Sequence, residues 1–166
     1  MLTRRFTLLE FAAVVVVVAI LVYALATRLL RYFEIAEKAA MTVTVLEVER
    51  SMRIRVALAR MKGAPAPAEN LEDSNPFEFA HAIPPNYLGE LGGQTDLQTL
   101  KPGNWFYDLD RHEIAYQPRL TSRFRSDAGA PVPIIRFRAK KAGERSALPH
   151  LAAAAPYQWE PEFASF

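Results

Sequence analysis

Between Phe6 and Lys62 the chain holds neither glycine nor proline, 57 residues without a helix breaker. The stretch from Phe11 to Ala26 carries no charge. Its valine run, Val14–Val18, is a mediocre helix former in water, because β-branching restricts χ1. In lipid the backbone must satisfy its own hydrogen bonds, and helix wins regardless. Phe6 to Ala26 makes about 31 Å of helix, enough to cross the hydrocarbon of a bilayer. The pattern does not stop there. Leu29, Phe33, Ala36, Ala40 and Val43 follow helical spacing, as do Met41, Val45, Val48 and Met52, with charges on much of the rest. The spacing predicts one helix about 85 Å long, transmembrane over 6–27 and amphipathic over 28–62. Gly63 and Pro65 are expected to end it. The outer stripes are expected to pack on the chain's own globular part.

One carboxylate, Glu10, stands at the start of the apolar run. A charged side chain at the centre of a membrane helix costs about 2.5–3.5 kcal/mol on insertion scales, and less near an end. A residue kept at such a cost is expected to meet a cation in some assembled state.

The segment Phe6-Thr7-Leu8-Leu9-Glu10 ahead of a long apolar helix resembles the N-terminus of type IV pilins and type II secretion pseudopilins. The resemblance implies that a leader, residues 1–5, is removed by a prepilin peptidase. It implies that Phe6 becomes the N-methylated mature N-terminus. It also implies that Glu10 neutralises the N-terminal amine of a neighbouring subunit during assembly. One position departs from the family: glycine normally precedes the cut, and here Arg5 does. The arginine side chain is expected to obstruct a peptidase that must approach the backbone closely. If the leader stays, Arg4 or Arg5 of a neighbour becomes the partner of Glu10.

The resemblance implies a pilin-like α+β fold, the outer half of the helix lying on a small antiparallel β-sheet in residues 63–166. It implies a minor pilin or pseudopilin anchored by a single pass in the inner membrane, with part of the outer helix stripe contacting neighbouring subunits. The N-terminus would be cytoplasmic and the C-terminal domain periplasmic. Partners would be other pilin-like subunits, the assembly platform and the peptidase. Two other readings stand beside it. Arg4-Arg5, Phe11–Tyr23 and Ala24-Leu25-Ala26 also fit a signal peptide cut after Ala26, which would release a secreted binding domain. The chain also fits a single-pass inner-membrane protein whose periplasmic domain binds a partner. Arg28 and Arg31 beyond the span balance Arg4 and Arg5 before it; the short N-terminus with its amine favours N-in.

Past the helix, 64–75 is polar and proline-containing. Asn70, Glu72, Asp73 and Asn75 lack the spacing of a calcium loop and are read as a solvated loop. Phe77–Ala82 is expected to form a helical turn or two. Leu88–Lys101, with Gly89, Gly92 and Gly93, reads as an irregular loop. The sheet is expected to begin at Asn104. Trp105–Leu109 and Glu113–Gln117 are strands, with Asp110-Arg111-His112 as the hairpin turn. This Gly-x-Trp-x-Tyr-Asp segment, Gly103–Asp108, with its short turn and following tyrosine strand, also looks like a feature of pseudopilins and minor pilins. Trp105, Tyr107, Ile114 and Tyr116 are expected core residues. Pro133–Lys140 alternates Ile135, Phe137 and Ala139 with Arg136, Arg138 and Lys140, predicting one buried and one basic face. Residues 140–155 read as an alanine-rich loop, and Tyr157–Glu160 as a short edge strand between prolines.

No catalytic constellation stands out, and the chain is expected not to be an enzyme. His81, His112 and His150 are far apart and lack metal-ligand spacing, no Gly-x-Ser-x-Gly is present, and there is no cysteine. No cofactor or metal is expected. A net charge of +2 argues, taken globally, for neither nucleic acid nor anionic lipid. Arg119, Arg123 and Arg125 with Phe124 are thin for a nucleic-acid patch, and none is expected to bind.

Overall fold

The computed structural model describes residues 8–62, 71–93, 95–126, 132–141 and 148–159. Its spine is one helix, α1, Leu8–Met61, 54 residues long. The turn after it closes with the Lys62 N–H on the Leu58 carbonyl at 3.1 Å. Gly63 and Pro65 lie outside the described residues. The membrane-compatible window of α1 reaches a mean hydropathy of 2.8, and none of it is buried inside the protein.

The outer half of α1 lies on a five-stranded sheet of order β1-β2-β3-β5-β6. The strands are β1 (Tyr87–Leu91), β2 (Asn104–Asp108), β3 (Glu113–Gln117), β5 (Ile135–Lys140) and β6 (His150–Ala153). A separate two-stranded sheet pairs β4 (Phe124–Ser126) with β7 (Tyr157–Trp159). Asn75 caps a 3-10 turn, Pro76–Phe79, by accepting the Phe77 N–H on its side chain. The fold is thus α+β as expected, with the hairpin β2–β3 in register from Asn104↔Gln117 to Asp108↔Glu113. Asp108 Oδ1 accepts the N–H groups of Asp110 and Arg111, which shapes the hairpin turn, and His112 completes it at φ 54°.

Three expectations need correction. The sheet begins before Asn104. Leu88–Leu91, read as loop, belongs to an edge strand, Tyr87–Leu91, and this strand runs parallel to β2, so the sheet is not wholly antiparallel. The register shifts between Tyr87 and Glu90, where Gly89 takes φ 96°. A glycine-hosted bulge breaks the alternation that marks a strand in sequence. Residues 150–153, also read as loop, form β6 against β5. Alanines have little strand preference of their own. Here the cross-strand partners and the burial of Leu151 decide. The last strand, expected at an edge, is one of the two strands of the β4–β7 sheet.

The core lies between the sheet and α1. Trp105 is 1% exposed at its centre. It packs edge-on to Phe77 at 5.7 Å and tilted over Tyr116 at 4.8 Å between ring centroids. Met41, Val48, Met52 and Val56 come down on it from the helix. Tyr107, Ile114, Tyr116, Ile135 and Phe137 are buried with it, as the alternation predicts. On the other face Arg136 pairs with Asp108 at 2.6 Å and lies 3.7 Å from Glu113, which also meets Arg138 at 3.3 Å. The basic face of β5 is therefore only partly solvated.

Candidate assembly surface on the long helix

The two stripes of the outer helix, alike in sequence, have opposite fates. Met41, Val48 and Met52 are buried against the sheet and Val45 partly so. Val43 sits two residues from Met41, about 200° around the helix, and is 64% exposed. Leu29, Phe33, Ala36 and Ala40 share its outward face and are exposed. Leu46, Ile54 and Leu58 carry the face to the end of α1, interrupted by Glu47 and Arg50. Apart from these two charges, the face continues the apolar span outward. The expectation that both stripes cover the chain's own domain holds for one of them.

The inner face is fixed by carboxylates as well as by packing. Seven residues before Met41, and fourteen before Val48, the inner stripe reaches Glu34, which is 2% exposed. Its carboxylate accepts hydrogen bonds from the Ser122 hydroxyl, the Arg123 N–H at 3.1 Å and the Trp159 indole N–H at 3.0 Å. Burial alone would raise its pKa. The bonds from Ser122, Trp159 and Arg123, with the Arg123 charge, outweigh it and hold Glu34 below its ordinary value. One turn on, Glu37 accepts the Tyr116 hydroxyl at 2.8 Å and the N–H groups of Arg119 and Leu120 at 2.7 and 3.1 Å. Burial and this carboxylate push the Tyr116 hydroxyl pKa up, so it stays a donor. Glu49 takes the Leu151 N–H at 2.7 Å, and Arg53 reaches the Pro149 carbonyl at 3.1 Å. From Glu34 to Glu49 these contacts tie the domain to about 22 Å of helix.

This clamp was missed in the sequence, where Glu34 and Glu37 stand only among the charges beside the apolar stripes. The available signal was the period: Glu34 falls on the apolar stripe of Met41 and Val48.

Glu10 lies in the first turn of α1, half-buried, between exposed Leu9 and Phe11. A helix N-terminus favours an anion there. About 36 Å of helix separates it from Glu34. Arg5 and Phe6, the expected cleavage and methylation positions, lie outside the described residues, as does Arg4. Ala24-Leu25-Ala26 is helical, and the Thr27 hydroxyl donates to the Ala24 carbonyl at 2.9 Å.

The remaining polar residues serve the scaffold. Asn75 donates to the Tyr87 hydroxyl and to Glu90, at 2.8 and 3.0 Å. Glu72 accepts the Lys141 N–H at 3.3 Å. Burial, with Glu90 and Asp73 nearby, pushes Tyr107 up to about 12, and it donates to the Asp73 carbonyl. The histidines are not brought together: His81 donates its backbone N–H to Ser51, His112 Nδ1 lies 3.3 Å from the Tyr107 hydroxyl, and His150 is in β6. Among the described residues no group of three or more histidines, aspartates or glutamates could hold a metal ion. A cleft of about 510 Å³ opens on the far face of the sheet beside Arg111, Glu113, Arg136 and Tyr157. Of its charged groups, Glu113 and Arg136 belong to the ion pairs of that face.

Compared with protein-family models, curated proteins and solved structures, the chain matches none.

Proposed function

We propose that this chain is a membrane-anchored, pilin-like structural subunit, a minor pilin or pseudopilin, that takes part in assembling a type IV pilus or a type II secretion pseudopilus. The observation that carries the reading is the division of α1. One face is committed to the chain's own sheet. The opposite face stays uncovered and mostly apolar from the span out to Leu58, interrupted at Glu47 and Arg50. A plain anchor needs an apolar span but no apolar outward face beyond it. A subunit that packs helix against helix needs both. Glu10 adds the second support, since a carboxylate in the apolar segment favours a state in which a neighbour's cation meets it. The resemblance of Phe6–Glu10 to prepilins supplies the name of the role, and the assignment of the domain to the periplasm follows from it.

Mass spectrometry of the N-terminus in cells tests this reading against its rivals. A chain beginning at Phe6 singles out the subunit, whereas one beginning at Met1 or Leu2 fits the single-pass membrane protein as well and leaves the choice to the Glu10 variants. A chain beginning at Thr27 makes it a released domain and ends the proposal. Because Arg5 obstructs the peptidase, Arg5→Gly is expected to raise the fraction beginning at Phe6.

A further inference from the structure

The outward face of α1 keeps a stricter period than its exposure alone requires. From Leu8, alternate steps of four and three residues land on Ala12, Val15, Ala19 and so on to Met61 without a missed position. Every residue so reached is exposed, and all but Glu47 and Arg50 are apolar. The other charged residues of α1 lie off this line. The mean period is about 3.5 residues, the heptad spacing of a coiled coil. On a straight α-helix such a seam drifts by about 20° per heptad, so it stays on a partner only if two helices supercoil together. Packing on the chain's own sheet makes no such demand, and none of these residues belongs to the core. The seam runs the length of α1, about 80 Å.

Both halves of the seam suit a second helix. Within the span Ala12, Ala19 and Ala26 recur every seven residues, with Val15 and Val22 between them. Small residues let two backbones approach closely in lipid, where van der Waals packing joins helices. Beyond the span Val43, Ile54 and Met61 are exposed, and covering them is favourable in water. The sheet lies on the opposite side of α1, so two copies joined along the seam hold their domains apart.

Glu47 and Arg50 identify the occupant. They are successive layers of the seam, opposite in charge and about 4.5 Å apart along the axis. Two parallel copies in register bring each Glu47 carboxylate beside the other copy's Arg50 guanidinium, twice by the twofold symmetry. Like charges share each layer, and the opposite charges next to them offset that repulsion. A slip of one heptad either way sets both charges against apolar layers, Ala40 and Val43 or Ile54 and Ala57, and strands them. Polar residues inside a seam fix register in this way, at some cost in stability. Of the charges flanking the seam, Arg53 is held by Glu49 and the Pro149 carbonyl and Glu37 by the clamp, while Arg60 lies near the end of α1.

We propose that this seam is the docking surface for a second copy of the chain, paired parallel and in register as a two-stranded coiled coil along α1. The pairing rests on the membrane-anchored reading above, which gives both copies the same orientation. A filament neighbour displaced along the axis sets unlike levels together. The in-register pair is therefore a separate contact, held by the subunit in the membrane before a filament takes it up.

The chain has no cysteine, so single cysteines report contacts cleanly. Full-length variants with Val15→Cys or Val43→Cys, on the seam, and Val17→Cys or Thr42→Cys, exposed but off it, are oxidised in isolated membranes. Equal positions join only in an in-register pair, because a disulfide needs Cα atoms within about 7 Å. Disulfide dimer is expected from both seam positions, and about tenfold less from the other two. Glu47→Arg is expected to cut the Val43→Cys dimer about tenfold. Adding Arg50→Glu is expected to restore it to within about twofold, since the charges then stand in reversed order and still match a second copy. Both residues are exposed, so these changes leave the core intact. Equal dimer from all four positions, or none while the chain is in the membrane, overturns the pairing and leaves the anchor standing. Wild-type dimer from Glu47→Arg, or no rescue by Arg50→Glu, overturns the charge-set register. A disulfide from Val43→Cys to a different protein overturns the second copy as occupant. A chain absent from the membrane fraction overturns the pairing and the anchored reading together.

Discussion

The indole N–H of Trp159 donates to the buried carboxylate of Glu34 at 3.0 Å, joining positions 125 residues apart. This bond ties the last described strand to the helix that begins the fold. Removing Glu34 strands the Trp159 indole and the Arg123 N–H, each at about 1–3 kcal/mol. Glu34→Ala is therefore expected to destabilise the chain by about 2–4 kcal/mol in thermal melts of the full-length protein in detergent. A loss below about 0.5 kcal/mol would place Glu34 outside the clamp.

The same residue sets an acid limit. Its folded pKa lies below the ordinary value of 4.5, so the unfolded chain takes up the proton first. The stability this confers is complete above pH 4.5 and is lost as the pH falls through the depressed folded value. Wild type is expected to lose its advantage over Glu34→Gln only below pH 4.5. Paired melts from pH 7 to pH 3 check this. A gap that stays constant over that range contradicts it.

Trp105→Ala opens a cavity under Phe77, Tyr116 and Phe137, and is expected to cost about 3–5 kcal/mol. That is enough to unfold a marginal domain. Chemical denaturation followed by the near-ultraviolet signal reads it. A change under about 1 kcal/mol would contradict a core role.

The outward stripe behaves differently. Val43→Lys replaces an exposed side chain and should shift stability by no more than about 0.5 kcal/mol. In an assembled filament it would bury a charge between helices. Co-purification of partner subunits with the variant is expected to fall sharply while its melting temperature holds. Unchanged co-purification would show that this face is not the one in contact.

How far the fold was legible depended on whether local pattern and final structure agreed. The helix was legible because 57 residues offered no breaker and an unbroken apolar span. The hairpin was legible because aromatic alternation marks its strands and Asp110-Arg111-His112 its turn. Strand β1 was hidden by Gly89, whose bulge breaks the alternation. Strand β6 was hidden by its alanines, since β5 and Glu49 hold it in place. Of the site, Glu10 stood out because a charge in an apolar run is conspicuous. Glu34 did not, because the loops it binds lie far away in sequence. Which of the two stripes would be covered depended on the position of the sheet, which no helical period records.

The assembly role rests most directly on Glu10. In lipid a carboxylate that only anchors is a liability, and a pure anchor should tolerate Glu10→Leu. A subunit whose Glu10 meets a neighbour's amine, or Arg4 or Arg5 of an uncut neighbour, loses that attraction and leaves a cation stranded. Glu10→Asp falls about 1.5 Å short of the same partner and is expected to be partly defective. The measurement is in-cell cross-linking of wild type beside the two variants, with membrane insertion and folding as controls. The account predicts that Glu10→Leu inserts and folds but yields no cross-linked partner, with Glu10→Asp between the extremes. Wild-type amounts of cross-linked product from Glu10→Leu would contradict the assembly role and leave a simple membrane anchor.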